Sequence, residues 1–133
     1  MKYLIVLLAV VMLGACSKPP YTNIDNEQLA RLIAEGVPVY DVRRVDEWRN
    51  TGVISGSRLL TFVDDRGRPN PEFLPKFTSE VGKDDPVIVI CRTGNRTDAL
   101  ARHLMEQMGY TKIYNVQKGI QGWRGEQRPV VQP

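Results

Sequence analysis

The amino-acid sequence predicts a single α/β domain with a central, mainly parallel sheet of about five strands and helices on both sides. Three observations support this fold class. Short apolar runs alternate along the chain with segments of helical periodicity. The run Val87–Ile90 has no polar face, as expected of a strand covered on both sides. The segment Thr97–Met108 carries an apolar stripe at helical spacing, and Gly109 ends it.

The first elements of the domain are a helix and a strand. Asp25 can cap a helix whose apolar face includes Leu29 and Leu32, and Gly36 ends that helix. The next segment, Val37–Val42, is short, apolar and β-branched. It therefore predicts a strand that is buried on both faces.

The remaining elements continue the alternation. In chain order, we expect a brief helix from Val45 to Asn50, a strand from Arg58 to Val63, a helix from Pro71 to Val81, a strand from Pro86 to Ile90, the helix Thr97–Met108, a strand from Lys112 to Val116 and a short helix carrying Trp123. In parallel sheets of this kind, ligands bind beyond the carboxyl ends of the strands. Cys91 follows a predicted strand directly and therefore lies at the expected site.

The N-terminus has the layout of an export signal. Lys2 is followed by the apolar stretch Tyr3–Leu13, which is too short to span a bilayer comfortably. The sequence Leu13-Gly14-Ala15-Cys16 resembles a bacterial lipoprotein cleavage box, in which the cysteine becomes the acylated first residue of the mature chain. A plain secretory signal that happens to contain a cysteine is the alternative.

These features divide the chain into three parts. We expect a signal peptide over residues 1–15, a lipidated tether over residues 16–22 and one folded domain over residues 23–133. Lipid on Cys16 would hold the domain to a bacterial membrane without a spanning helix. Ser17 resembles an outer-membrane address, so the expected location is the periplasmic side of the outer membrane, although the inner membrane remains open.

Charge and composition argue against two classes of function. The formal net charge is +3 and the pI is about 9.0, but basic and acidic residues are interleaved without a basic run. Nucleic-acid binding is therefore not predicted. His103, the only histidine, has no cysteine or carboxylate at a spacing that would form a metal site. No metal site is predicted.

Cys91 is the candidate nucleophile. The chain has two cysteines, and if Cys16 carries lipid, Cys91 has no partner for a structural disulfide. An unpaired thiol in an oxidising compartment suggests a functional role, whereas a buried, inert cysteine is the alternative. The surrounding loop favours function.

The loop after Cys91 has the features of an anion site. Gly94 allows the chain to curl so that several backbone amides converge, and the following helix adds the positive end of its dipole. Arg92 and Arg96 add two formal charges, so we expect the Cys91 thiol to ionise readily to the reactive thiolate. The same amides would stabilise negative charge that develops during a reaction.

The loop and several spaced motifs resemble the rhodanese family of sulfurtransferases over about residues 22–131. The matching segments are the loop Cys91-Arg92-Thr93-Gly94-Asn95-Arg96-Thr97, Asp41-Val42-Arg43 with Glu47-Trp48, Gly52-Val53-Ile54-Ser55-Gly56-Ser57, and Lys118-Gly119-Ile120 with Trp123 and Pro129-Val130. Two positions depart from the family pattern. Val53 stands where the family usually has histidine, and Lys118 replaces the first glycine of a pair. Neither departure touches the loop.

The resemblance implies a two-step exchange of sulfur. The Cys91 thiolate would attack the outer sulfur of a small anionic donor such as thiosulfate, form a persulfide and pass the sulfur to cyanide or a thiol. No cofactor is implied. The implied substrate-binding residues are those that follow the nucleophile in the loop: Arg92, Thr93, Gly94, Asn95, Arg96 and Thr97. Asp41 and Arg43 would either bind substrate or form a structural ion pair that supports the loop.

Three other functions compete with sulfur transfer. The first is a phosphatase. Phosphatases of similar fold use a loop with five residues between the cysteine and the arginine, whereas four residues lie between Cys91 and Arg96. A partner-dedicated or non-catalytic carrier is a second alternative, although such modules commonly lose the cysteine. A thiol redox role is the third, and it is weakened by the lack of a second, resolving cysteine.

Overall fold

A computed structural model describes residues 18–133. Its five strands form one parallel sheet in the order β1-β5-β4-β2-β3. The strands are β1 (Thr22–Ile24), β2 (Val39–Asp41), β3 (Arg58–Leu59), β4 (Val87–Ile90) and β5 (Ile113–Val116). The helices are α1 (Asn26–Ala34), α2 (Val45–Thr51), α3 (Phe73–Glu80), α4 (Asn95–Glu106) and α5 (Gly119–Gly125). The predicted α/β class, with a parallel sheet of five strands, is confirmed.

The central strand β4 separates two hydrophobic cores. Val87 and Val89 contribute to a core that includes α3 and α4, where Phe77 and Leu100 are fully buried. Ile88 and Ile90 contribute to the opposite core, which contains side chains from α1 and α5, including the buried Trp123. Since successive side chains of a strand point to opposite faces, an unbroken apolar run is what this position requires.

The first strand was not predicted. β1 pairs with β5 through Thr22, Asn23 and Ile24, and Tyr21 before it is buried. Tyr21 and Thr22 therefore belong to the folded domain, whereas the sequence-based boundary placed them in the tether. The reason is physical: β1 is a three-residue edge strand with two exposed polar residues, so it lacks a periodic signal.

Elsewhere the bounds of the helices and strands differ from the predicted ones by at most four residues. The strand predicted over Arg58–Val63 is regular only at Arg58–Leu59, although the amides of Leu60 and Phe62 still bond to carbonyls at the end of β2. The helix predicted from Thr97 begins two residues earlier, at Asn95. This shift places half of the candidate loop in the first turn of α4.

The predicted signal peptide and Cys16 lie outside the described residues. Within residues 18–133, no helix combines the length and the apolar character needed to cross a bilayer.

Candidate active site

Cys91 is the first residue after β4 and lies at the carboxyl end of the sheet. Its side chain is almost completely buried, with 1% of the residue exposed. The Sγ atom accepts a hydrogen bond from the Gly94 amide at 3.2 Å and lies 3.3 Å from Thr97 Oγ1. The loop therefore curls around the sulfur, as its sequence predicts.

Several backbone amides of the loop have no hydrogen-bond acceptor within the described part of the chain. The backbone N–H groups of Arg92, Thr93, Asn95 and Arg96 donate to no acceptor within residues 18–133. Two of these residues open α4, whose first turn has unpaired amides by geometry. Unpaired amides at a helix start attract anions, so this loop can receive a negatively charged group beside the sulfur.

Two glycines allow the loop to close against the turn between β5 and α5. Gly94 has φ +96°, and a Cβ there would lie 2.3 Å from the carbonyl oxygen of Gln117. Gly119 has φ +59°, and its Cβ would lie 2.3 Å from the carbonyl oxygen of Arg92. No side chain fits at either position without displacing backbone, so the loop and this turn are built as a pair.

The start of α5 fixes the loop directly. The Ile120 amide donates to the Cys91 carbonyl at 2.9 Å, and the Gln121 amide donates to the Arg92 carbonyl at 3.1 Å. These bonds join the backbone at the nucleophile to α5, the helix that follows the neighbouring strand β5. Sequence reasoning did not identify this contact.

A buried polar chain leads from the nucleophile to the edge of the sheet. The Thr97 hydroxyl donates to Asn115 Oδ1. The Asn115 amide group donates to Asn23 Oδ1 at 3.1 Å and to the Gly94 carbonyl at 3.4 Å. Asn115 was missed from sequence, although a lone amide inside the apolar strand β5 is a signal that could have identified it.

Arg96 is held by a carboxylate that the sequence analysis did not place in the site. Its guanidinium binds Glu47 through two bonds of 2.7 and 2.8 Å, and Glu47 also accepts the Arg44 amide at 3.0 Å. Burial would raise the pKa of Glu47, but the hydrogen bonds and charges of Arg96 and Arg44 hold this pKa at about 2. Arg96, predicted to bind substrate, is thus already paired.

Asp41 and Arg43 form a buried ion pair in which their polar atoms are well satisfied. The Arg43 guanidinium contacts Asp41 at 2.8 and 2.9 Å, Thr51 at 2.7 Å and the Gly52 carbonyl at 3.0 Å. The Trp48 indole donates to Asp41 at 2.9 Å. Both charged residues are at most 1% exposed. This geometry is that of a structural pair that holds the end of α2 against the end of β2.

The other predicted site residues lie at the surface of the loop. Arg92, Thr93 and Asn95 are exposed, while Gly94 and Thr97 are buried beneath them. The predicted residues are therefore brought together around Cys91, with the exposed ones outermost. Asp41 and Arg43 do not line the loop; they contact α2, the helix that contains Glu47.

A model of the rhodanese-like domain family matches residues 25–126. The chain belongs to this family. It is 38% identical over 112 residues to the thiosulfate sulfurtransferase GlpE of Actinobacillus pleuropneumoniae, covering 83% of this chain and 93% of the relative. It is 31% identical over 105 residues to the protein of the same name from Tolumonas auensis, covering 78% and 89%. The crystal structure of Rv0390 from M. tuberculosis superposes with a TM-score of 0.70 at 26% identity, covering 85% and 99%.

The family resemblance inferred from spaced motifs is therefore confirmed, and the relatives support a sulfurtransferase in general terms. The two departures from the rhodanese pattern have simple structural accounts. Val53 is buried and exchanges two backbone hydrogen bonds with Val131, at 2.8 and 2.9 Å, so it packs the C-terminal segment onto the domain. Lys118 precedes the glycine that contacts the loop, and Gly119 alone meets the steric requirement there.

Proposed function

We propose that this protein is a sulfurtransferase that carries a sulfane sulfur on Cys91, from thiosulfate or a similar donor to cyanide or a thiol. The observation that carries the proposal is the position of Cys91 Sγ, within hydrogen-bond distance of the Gly94 amide and beneath a loop whose outer amides are unpaired within the described chain. The names of relatives at 31% and 38% identity support the same activity.

In the first step, the Cys91 thiolate attacks the outer sulfur of thiosulfate. A bond forms between Sγ and that sulfur, the sulfur–sulfur bond of thiosulfate breaks, and its electron pair leaves with sulfite. The Gly94 amide stabilises the thiolate before attack, and the free amides at Arg92 and Thr93 are available to the anionic donor. The product on the protein is a persulfide.

In the second step, a nucleophile attacks the outer persulfide sulfur. A new bond forms from the nucleophile to that sulfur, the bond to Sγ breaks, and its electron pair restores the Cys91 thiolate. Cyanide gives thiocyanate, and a thiolate gives a new persulfide. The scheme requires no metal or organic cofactor. A partner-dedicated carrier would use the same first step and differ only in the acceptor.

A phosphatase is the rival that the loop itself disfavours. Four residues separate Cys91 from Arg96, and Arg96 binds Glu47 with both terminal nitrogens rather than pointing freely into the loop. A phosphate would have to compete with that carboxylate. Sulfur transfer needs only the sulfur and the amides.

The test is to measure thiocyanate formation from thiosulfate and cyanide, and to record the intact mass after thiosulfate alone. We expect turnover and a gain of about 32 Da, the mass of one sulfur atom bound as a persulfide. Cys91→Ser should show neither while it retains the wild-type unfolding curve. Absence of both signals in the folded wild-type protein would refute the proposal.

We further propose that Cys16 carries lipid and holds the domain outside the cytoplasm. The support is the cleavage box ending at Cys16, followed by a short polar segment before β1. The test is labelling of the full chain by radioactive palmitate in a bacterial host, followed by membrane fractionation. Cys16→Ala should lose both the label and the membrane association, and retention of the label would contradict the assignment.

A further inference from the structure

A large cleft lies beside the Cys91 loop, at the carboxyl end of the sheet. Its volume is about 780 Å³, which falls in the range of small-molecule sites and far exceeds the size of a thiosulfate ion. One wall is formed by residues at and after the end of β2, including Arg44 and Glu47, and another by α5. Arg92 of the loop also lines the cleft.

The cleft carries an excess of positive charge. Four arginines, at positions 43, 44, 92 and 124, line it together with two carboxylates, Asp46 and Glu47. The carboxylates are occupied by Arg44 and Arg96, and Arg43 is buried against Asp41. Arg92 and Arg124 are exposed and form no ion pair with any residue from 18 to 133. These two charges are available to a ligand.

The helix α5 connects this free charge to the nucleophile. Ile120 lines the cleft and donates its amide to the Cys91 carbonyl at 2.9 Å. Arg124 follows four residues later, so it lies on the same helix face about one turn away. A molecule bound in the cleft between Arg92 and Arg124 therefore lies beside Arg92 and close to the backbone of Cys91.

We propose that the cleft binds the sulfur acceptor, and that this acceptor is a small thiol bearing at least two carboxylates. The proposal rests on the proposed sulfurtransferase function and specifies its second substrate. The carboxylates bind Arg92 and Arg124, which holds the thiolate beside the loop, where it can attack the outer persulfide sulfur. The thiolate bonds to that sulfur, the sulfur–Sγ bond breaks, and its electron pair returns to Cys91.

The acceptor step can be measured by itself. The protein is first converted to the persulfide with thiosulfate and freed of excess donor, and intact mass then follows the loss of the added sulfur to a chosen thiol. Mercaptosuccinate, 2-mercaptoethanol and cysteamine provide two negative charges, none and one positive charge. Because these thiols differ in intrinsic reactivity, each rate is expressed as the ratio of wild type to variant.

We expect Arg124→Gln to slow transfer to mercaptosuccinate about fivefold to tenfold more than transfer to 2-mercaptoethanol, since it removes one charge-assisted contact. Arg124→Glu should increase this difference and accelerate transfer to cysteamine, a gain that misfolding cannot produce. Added salt should reduce the preference. Arg31→Gln, an equal loss of charge at an exposed position of α1, is the control and should leave the ratios unchanged.

Two results would count against the proposal, and they differ. If the persulfide forms but both Arg124 variants treat the three thiols as wild type does, or slow all of them equally, the cleft is not the acceptor site. If no persulfide forms on the wild-type protein, the sulfurtransferase function itself is wrong, and the acceptor site is wrong with it.

Discussion

The carboxyl ends of β2 and β4 each carry a group of polar and charged residues, and the two groups differ in how many of their donors and acceptors are paired within the protein. After β2, the carboxylate of Asp41 and the guanidinium of Arg43 bond to each other, to Trp48 and to groups at the end of α2. After β4, loop amides have no acceptor within the described chain. The paired cluster of Asp41, Arg43 and Trp48, here called the frame, supports the structure, whereas the unpaired amides after β4 can bind a ligand.

Loss of the buried ion pair between Asp41 and Arg43 should reduce stability the most. Arg43→Met leaves Asp41 buried without its counter-ion, which we expect to lower the free energy of unfolding by about 3–5 kcal/mol. Urea denaturation at neutral pH provides the measurement. Arg44→Met is the matched control, because Arg44 is partly exposed and solvent screens its ion pairs, so its loss should cost much less. Equal losses for the two variants would show that the buried pair is not the frame.

The second effect comes from the loop. Gly94→Ala places a methyl group 2.3 Å from the Gln117 carbonyl oxygen at a left-handed φ, so the loop must move away from the turn between β5 and α5. We expect thiocyanate formation to fall about 100-fold, since small displacements of reacting groups cost that much, together with a modest loss of stability. Gly36→Ala has an equally positive φ but no atom within 4 Å of the new Cβ.

Gly36→Ala is therefore the control for backbone strain alone. It should cost about 1–2 kcal/mol of stability and leave turnover per folded molecule unchanged. If both alanine variants keep full activity, close contact between the loop and the β5–α5 turn is not needed for catalysis.

The same contrast explains what could be predicted from sequence. The strand β4, the helix stripe of α4 and the position of Cys91 follow from apolar periodicity and chain order, because burial imposes both. Gly94 was expected to curl the loop, since its conformational freedom is local. Partners distant in sequence were missed: Glu47 for Arg96, Asn115 for Thr97 and Ile120 for Cys91. Their pairing depends on how strands are ordered in the sheet.

The smallest effect concerns the ion pair that joins the frame to the loop. Glu47 has a pKa of about 2 in the folded protein, against 4.5 ordinarily. Well above pH 4.5 the carboxylate is ionised in both the folded and the unfolded state, and its pairing with Arg96 contributes fully to stability. As pH falls toward 2, the unfolded chain takes up the proton first, and the contribution is progressively lost.

Glu47→Gln should therefore lower the free energy of unfolding by about 1–2 kcal/mol at pH 7, after allowance for solvent screening. The difference from wild type should shrink between pH 4.5 and pH 2, as measured by urea denaturation at several pH values. Glu106→Gln, at an exposed position of α4, is the control and should change stability by about 0.5 kcal/mol or less at every pH. A Glu47 difference that does not vary with pH would contradict the ion-pair account.

Glu47→Gln also tests whether Arg96 can bind the sulfur donor. Glu47→Gln removes the negative charge and replaces one of the two oxygens that Arg96 contacts at 2.7 and 2.8 Å with an NH2 group, so the guanidinium is held less strongly and becomes more available to an anionic donor. We expect a KM for thiosulfate several-fold lower than that of wild type, with the largest gain at low salt. A raised KM with unchanged kcat would instead mean that the paired Arg96 is the form that binds the donor, and that the frame extends into the loop.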